Sequence, residues 1–398
     1  MHQSMPGFGG ADRWTKCLNL NNRAPNRSAM PVLIGLLRGE GVGPEIIAAA
    51  LDVLDAVAKP ANLKLEICEI GREAKQRSGN SLPQVLIAFC QEIFARGGAV
   101  LHGPCAGRFV YDLRKEFDLF FKISPLQAAL GVPHASRLKP DATRRVDILI
   151  TRENTGGVYQ GRWGEENDPS RGHLAWHSFS YSEEQARRFL RASAQLSAQR
   201  RGDLVVVWKE AGLPSISALW RSVAEQAAKA AGVCFRMIDL DVMAYWLIQE
   251  PQAFDVVAAP NLVGDILADL GAVLLGSRGV SFSGNFNAAG NAAYQTNHGS
   301  AHDLSGTDRA NPGGQIFALA MMLRESFGLL REAAAIEAAV RSVWSEGWRT
   351  EEVAMPGSNI VGTREMGYRV AERAAEILES GQRQASVSVG DETASHPG

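Results

Sequence analysis

The chain lacks a long apolar run: nowhere in its 398 residues does a stretch approach the ~18 uninterrupted apolar side chains of a membrane-spanning helix. It also lacks an excess of either charge. Lys and Arg number 41 against 43 Asp and Glu, a formal net charge of -2. That balance gives no support to nucleic acid or an anionic membrane as a partner. Cysteines are few and scattered. Cys17, Cys68, Cys90, Cys105 and Cys234 are odd in number and show no Cys-x-x-Cys spacing. They fit reduced thiols in a cytoplasmic protein better than a disulfide frame or a zinc site. Residues 1–27 lack the apolar core of a signal peptide. No internal repeat or low-complexity core segment is present. What is there is globular: 45% hydrophobic residues, on a length that suggests two domains or one large bilobed unit.

Residues 1–30 read as a mobile leader and 381–398 as a polar, disordered tail. Between them, Val32-Leu-Ile-Gly-Leu-Leu37 reads as a buried strand running through Arg38-Gly-Glu-Gly-Val-Gly-Pro-Glu45 into a helix. Pro44 suits the first turn of that helix. Strand, glycine turn and helix make the unit of an α/β fold. The glycines do not match Gly-x-Gly-x-x-Gly, so a Rossmann fingerprint is not supported. Further strands are expected at 99–103, 146–151, 204–207 and 254–260, with helices near 113–118 and from about Ser215. After Gly276-Ser-Arg-Gly279, the residues to Asn297 read as a Gly/Asn-rich loop.

The most telling stretch is Asn261-Leu-Val-Gly-Asp-Ile-Leu-Ala-Asp269. Gly264 offers a loose turn before a helical pattern. Asp265 and Asp269 are four apart, so a helix places them on one face. Two like charges side by side call for a cation between them, and an oxygen-seeking divalent ion is the natural one. A helix-terminal Asp beside a solvated Asp is the plainer alternative.

Three segments in register carry a resemblance: Arg152-Glu-Asn-Thr-Gly-Gly-Val-Tyr159, Phe254 through Asp269, and His298-Gly-Ser-Ala-His-Asp303 through Ala310-Asn-Pro312. From about Val32 to Leu378 the sequence resembles the isocitrate/3-isopropylmalate dehydrogenase family, the metal-dependent β-decarboxylating dehydrogenases. The resemblance implies a two-lobed α/β fold unlike the Rossmann fold, with mixed sheets flanked by helices. Residues 31–122 plus 272–383 would form an outer, cofactor-binding lobe, and 123–271 an inner lobe that pairs with a second subunit in a homodimer. It implies Mg²⁺ or Mn²⁺ held by Asp265, Asp269 and the partner subunit's Asp241. Lys209, also from the partner, matches the catalytic lysine; beside a dication its pKa is expected to fall. Tyr159 matches the tyrosine that returns a proton after decarboxylation. Arg114 and Arg152 match arginines that hold substrate carboxylates, for which a planar fork of donors is suited. His298, Gly299, Ala301, Asp303 and Asn311 match positions on the adenosine half of the dinucleotide. Asp303 can accept both ribose hydroxyls and repels a 2′-phosphate, so the cofactor is expected to be NAD.

The sequence also departs from that pattern. A third family arginine is Ser124 here, with Lys122 two residues earlier. Arg108 is an extra cation in the shortened segment from Gly103 to Arg114, where Val110 and Tyr111 occupy positions that touch the substrate's variable group and Asp112 adds a charge. Trp208-Lys-Glu-Ala211 stands for the usual Asp-Lys-Ala-Asn, and Gly39-Glu-Gly41 for Gly-Asp-Gly. The reading is an NAD- and Mg²⁺/Mn²⁺-dependent oxidative decarboxylase of a non-standard substituted malate. Arg108 or Lys122 would meet an acidic group where the missing arginine would have acted. Oxidation without loss of CO₂, or a non-catalytic regulatory subunit of the same fold, are the alternatives.

Overall fold

The computed structural model describes residues 13–18, 31–70 and 82–392. The strands are β1 (Val32–Leu37), β2 (Leu65–Glu69), β3 (Ala99–His102), β4 (Phe121–Gln127), β5 (Asp147–Glu153), β6 (Arg162–Asp168), β7 (Gly172–Ser178), β8 (Asp203–Trp208), β9 (Cys234–Asp239), β10 (Val256–Ala259), β11 (Phe282–Phe286), β12 (Ala292–Thr296), β13 (Trp348–Arg349) and β14 (Asn359–Ile360). The helices are α1 (Gly43–Ala58), α2 (Gln84–Ala95), α3 (Phe109–Glu116), α4 (Pro140–Thr143), α5 (Glu183–Ala198), α6 (Pro214–Ala231), α7 (Leu240–Gln249), α8 (Asn261–Gly271), α9 (Gly313–Phe327), α10 (Leu330–Ser345) and α11 (Thr363–Glu392).

One mixed sheet of 10 strands runs through the molecule in the order β2-β1-β3-β12-β11-β4-β5-β10-β8-β9. Its two ends are parallel, as in β1 with β3 and β10 with β8. The middle is antiparallel, where β11 meets β12 and β4, and β4 meets β5. Strands from 31–122 and 272–383 fill one end and those from 123–271 the other; β4 straddles the change. Helices cover both faces, so β1 and β10 are buried throughout and read as unbroken apolar runs rather than as alternation. Gly35 in β1 is required by this packing: a Cβ there would lie 2.9 Å from Ile93 of α2. Helix α9 is buried almost all round, with Gly313 through Glu325 out of solvent, as expected of a helix enclosed by others. The α5 helix starts at a capping box of Ser182 and Gln185, and α6 stops at Gly232 in the left-handed conformation.

Three expectations need correction. The Gly/Asn-rich stretch is not a loop but the hairpin β11–β12 at the centre of the sheet. Its buried residues include Ser283, Asn285 and Gln295, so no apolar alternation betrays it; Asn285 instead donates to the Ala293 carbonyl at 3.0 Å. Within the expected leader, Trp14–Leu18 form a short helix with Thr15 and Cys17 buried. The Glu325 carboxylate holds it, accepting from Thr15 N at 3.0 Å, Thr15 Oγ1 at 2.8 Å and Trp14 N at 3.2 Å. Residues 1–12 and 19–30 lie outside the described residues. Of the expected disordered tail, 381–392 continue α11, and 393–398 lie outside the described residues.

The hairpin β6–β7 stands apart as a two-stranded ribbon with both faces largely exposed, including Trp163 and Trp176. Exposed apolar side chains also mark α7 (Val242, Tyr245, Trp246) and α8 (Ile266), with Val273 just beyond. No helix among the described residues is long and apolar enough to cross a membrane.

Candidate active site

The carboxylate helix α8 begins at Asn261, so Gly264 lies inside it rather than in a turn. The glycine serves a close approach. A Cβ at Gly264 would lie 2.9 Å from Arg152 Cβ at the end of β5. The approach brings Arg152 onto α8 by three hydrogen bonds. Its Nε and Nη2 donate to Asn261 Oδ1 at 3.0 and 2.8 Å, and its Nη1 donates to Asp265 Oδ1 at 2.5 Å. Asn261 is fully buried and donates onward to the carbonyls of Asn154 and Gly156, each at 3.0 Å. Sequence reasoning missed Asn261, although its place at the head of the Asp265/Asp269 helix was visible.

Tyr159 completes this group. Its phenol donates to Asp265 Oδ2 at 2.9 Å, and its ring lies 4.8 Å from that of Tyr111. Burial and the neighbouring Asp265 charge push the phenol pKa well up, so Tyr159 keeps its proton. Burial works against the Asp265 carboxylate, but Arg152, Lys122 and Arg114 outweigh it and hold its pKa below the ordinary value. Asp269 goes the other way. Burial raises its pKa and Asp265 adds to the rise, against the pull of Arg278, which donates to Asp269 Oδ2 at 2.7 Å.

Behind the two aspartates lies a cationic floor. Arg114 is 4%, Lys122 3% and Arg152 2% exposed. Burial and the neighbouring arginines lower the pKa of Arg114 to about 9 and that of Lys122 well below the lysine range. His102 adjoins them. Burial, Arg114 and Lys122 lower its pKa to about 4, and its Nδ1 donates to the Gly103 carbonyl at 2.9 Å. Arg108 is otherwise engaged: it donates to the Tyr159 carbonyl at 3.1 Å, faces Asp112 at 3.5 Å and lies over Trp163 at 4.6 Å. Val110 and Tyr111 are half-buried on the same short helix, α3.

Asp241 and Lys209 sit together but not with this group. Lys209 Nζ donates to Asp241 at 2.6 Å and to Asp239 at 3.2 Å. Those bonds raise the lysine pKa. No cluster of three metal-ligating side chains forms among the described residues of the single chain. The pair Asp265/Asp269 nonetheless suits a hard divalent ion: two carboxylates share a helix face, and Asp265 raises the cost of ionising Asp269.

The expected dinucleotide residues cluster beyond β12. Ala301 adopts a left-handed φ of 41°, which turns the chain into a short helix carrying Asp303 on the surface. Gly299 is exposed, with open space where a Cβ would be. Half-buried His298 is bonded from Nδ1 to the Gly299 carbonyl, and burial lowers its pKa. Asn311 is buried; its Oδ1 accepts from Gly313 N at 2.8 Å while its Nδ2 has no partner among the described residues. The first glycine turn closes on this loop, Val42 N donating to the Ser300 carbonyl at 2.9 Å and Ser305 Oγ to that of Gly41 at 2.9 Å. Gly41 must be glycine there, since a Cβ would run into Ser300.

The family model described as isocitrate/isopropylmalate dehydrogenase matches residues 33–370. The chain belongs to that family. It is 36% identical over 349 residues to a 3-isopropylmalate dehydrogenase of Geobacillus kaustophilus, covering 84% of this chain and 93% of the relative. A 3-isopropylmalate dehydrogenase of Desulfitobacterium hafniense is also 36% identical, over 85% of this chain and 98% of its own. Among solved structures, an isocitrate dehydrogenase of Methylococcus capsulatus superposes with a TM-score of 0.77 at 27% identity, covering 86% of this chain and 99% of that one. A protein of Thermus thermophilus gives 0.74 at 26% identity, covering 86% of this chain and 68% of that one. This family member is therefore a dehydrogenase with the mixed α/β fold of its relatives.

Proposed function

We propose that the protein oxidises a substituted malate at its 2-hydroxyl with NAD and then releases CO₂, using Mg²⁺ or Mn²⁺. The observation that carries the reading is Asp265 held between Arg152 and a protonated Tyr159 over a buried cationic floor. When bound, the divalent ion supplies Lewis acidity at the 2-hydroxyl and the dinucleotide accepts the hydride. Asp265, Asp269 and the partner subunit's Asp241 would hold that ion. Arg114 and Arg152 bind and orient the carboxylates. Lys209 takes the hydroxyl proton. Tyr159 gives a proton to the carbon left when CO₂ departs. Asp303 accepts from the ribose hydroxyls, and His298, Gly299, Ala301 and Asn311 line the adenosine.

Two features support assembly into a homodimer. Asp241 and Lys209 stand outside the Asp265 group of their own chain, and α7 and α8 expose Val242, Tyr245, Trp246 and Ile266. Exposed apolar patches of this kind mark protein contacts. On this reading the outer lobe is 31–122 plus 272–383 and the inner lobe 123–271. The test is NADH formation by the purified protein with Mn²⁺ and a panel of 3-substituted malates, with released CO₂ trapped in parallel. NADH without CO₂ makes it a plain hydroxy-acid dehydrogenase; neither product makes it a non-catalytic subunit. Best turnover with isocitrate or 3-isopropylmalate overturns the non-standard substrate.

A further inference from the structure

We propose that Arg108 is a positioning residue: it holds the turn that carries Tyr159 and so keeps the phenol on Asp265. The proposal rests on the hydroxy-acid reading above only for what the phenol then does. The sequence offers Arg108 as an extra cation for the substrate; its contacts turn it onto the protein instead.

Tyr159 sits in a single turn, Val158–Gln160, between Gly157 at a φ of 72° and Gly161. The backbone bonds of the turn reach only its own neighbours: Gln160 N donates to the Gly157 carbonyl and Gly161 N to that of Val158, each at 3.1 Å. So short a helix does not fix its own orientation. Side chains tie it to its surroundings. Arg108 Nη2 donates to the Tyr159 carbonyl at 3.1 Å, and Gln160 Nε2 donates to the Tyr111 carbonyl at 2.9 Å. His177 Nε2, on β7, donates to the Val158 carbonyl at 2.6 Å. The Tyr111 ring backs that of Tyr159 at 4.8 Å.

Arg108 and Tyr111 belong to the segment of α3. That helix follows β3, while the turn follows β5, and β12, β11 and β4 lie between those two strands in the sheet. The contact is therefore made by side chains across the site and not by strand pairing. Arg108 is itself oriented: its guanidinium lies over the Trp163 ring of β6 at 4.6 Å and faces Asp112 at 3.5 Å. A planar guanidinium can stack on an aromatic face and still donate in its own plane. The phenol oxygen is the far end of the lever that this clamp holds, 2.9 Å from Asp265 Oδ2. A displacement of ~1 Å at a reacting group can cost ~100-fold in rate.

The experiment is fluorine NMR of the full-length protein labelled with 3-fluorotyrosine, with no metal, nucleotide or substrate added. The chain has 6 tyrosines, and Tyr159→Phe and Tyr294→Phe identify the lines that matter. Arg108→Met keeps an apolar stem over Trp163 and removes the donor. It moves or broadens the Tyr159 line and leaves that of Tyr294, fully buried in the core, where it stands in wild type. Turnover is then read with Mn²⁺, NAD and the most active malate of the panel above. Arg108→Met lowers kcat at least ~10-fold with KM held within ~3-fold, and adds less than ~2-fold to the loss in Tyr159→Phe, because both changes act through one phenol. The proposal is overturned if the Tyr159 line is unchanged, if the Tyr294 line moves with it, or if the two losses multiply. It is overturned equally if KM rises at constant kcat, which makes Arg108 a substrate ligand. Turnover of no malate removes the hydroxy-acid reading, and the fluorine lines alone then decide whether Arg108 holds Tyr159.

Discussion

Replacing Asn261 with Ala should unfold the protein more readily than a single surface-sized change suggests. The side chain is fully buried and makes four hydrogen bonds. Two come from the Arg152 guanidinium at 3.0 and 2.8 Å, and two go to the carbonyls of Asn154 and Gly156 at 3.0 Å each. Bonds to a charged group contribute about 1.5–3 kcal/mol and neutral ones about 0.5–1.5. Arg152 keeps its contact with Asp265, so part of the guanidinium stays paired. The remaining losses, with two carbonyls left unsatisfied out of solvent, sum to about 3–5 kcal/mol. The assay is reversible urea unfolding of wild type and Asn261→Ala, followed by Trp fluorescence, with kcat/KM measured on the active substrate. Both stability and kcat/KM should fall, because Arg152 is aimed by Asn261. A loss below about 1 kcal/mol with unchanged kinetics would refute the claim that Asn261 positions Arg152.

Other outcomes follow from the same contacts. Tyr159→Phe loses one hydrogen bond to Asp265 and should cost only ~1 kcal/mol of stability; if Tyr159 is the proton donor, turnover falls at least ~100-fold by the same variant. His102 titrates near 4 in the fold against an ordinary 6.5. Between those values the unfolded chain binds the extra proton, so stability rises with pH across that window by roughly 3 kcal/mol. Urea midpoints from pH ~4 to ~7 should show that slope in wild type and lose it in His102→Leu. Removing residues 1–18 strips Glu325 of its bonds from Thr15 and Trp14. Denaturant unfolding should then report a loss of about 2–4 kcal/mol; an unchanged midpoint would mean that the segment does not hold.

Strands β1 and β10 were legible because they are short apolar runs, Val32–Leu37 before a glycine turn and Val256–Ala259 before Pro260. The centre was not. Strands β11 and β12 carry Ser283, Asn285 and Gln295 inward, and polar strands have no periodic signature when tertiary contacts satisfy them. In the site, Asp265, Tyr159 and Arg152 come together in the structure. Spacing alone put Asp265 with Asp269; bringing Arg152 to them took the resemblance. Asn261 and His102 went unnoticed because their roles arise only when distant segments come together, and Arg278 because it reaches Asp269 through a local turn that no periodicity marks. Lys122 was visible as an oddity beside Ser124, but only the β4–β5 register shows which face it occupies.

The shared site can be tested most directly by mixing two inactive variants. Asp241→Asn and Asp265→Asn protomers are refolded together, and NADH formation is compared with each variant alone. Each mixed dimer should rebuild one intact site, Asp265 and Asp269 from one chain with Asp241 from the other, restoring roughly a quarter of wild-type activity in a random mixture. A mixture as inactive as its parents would contradict the claim that the two protomers build one site between them.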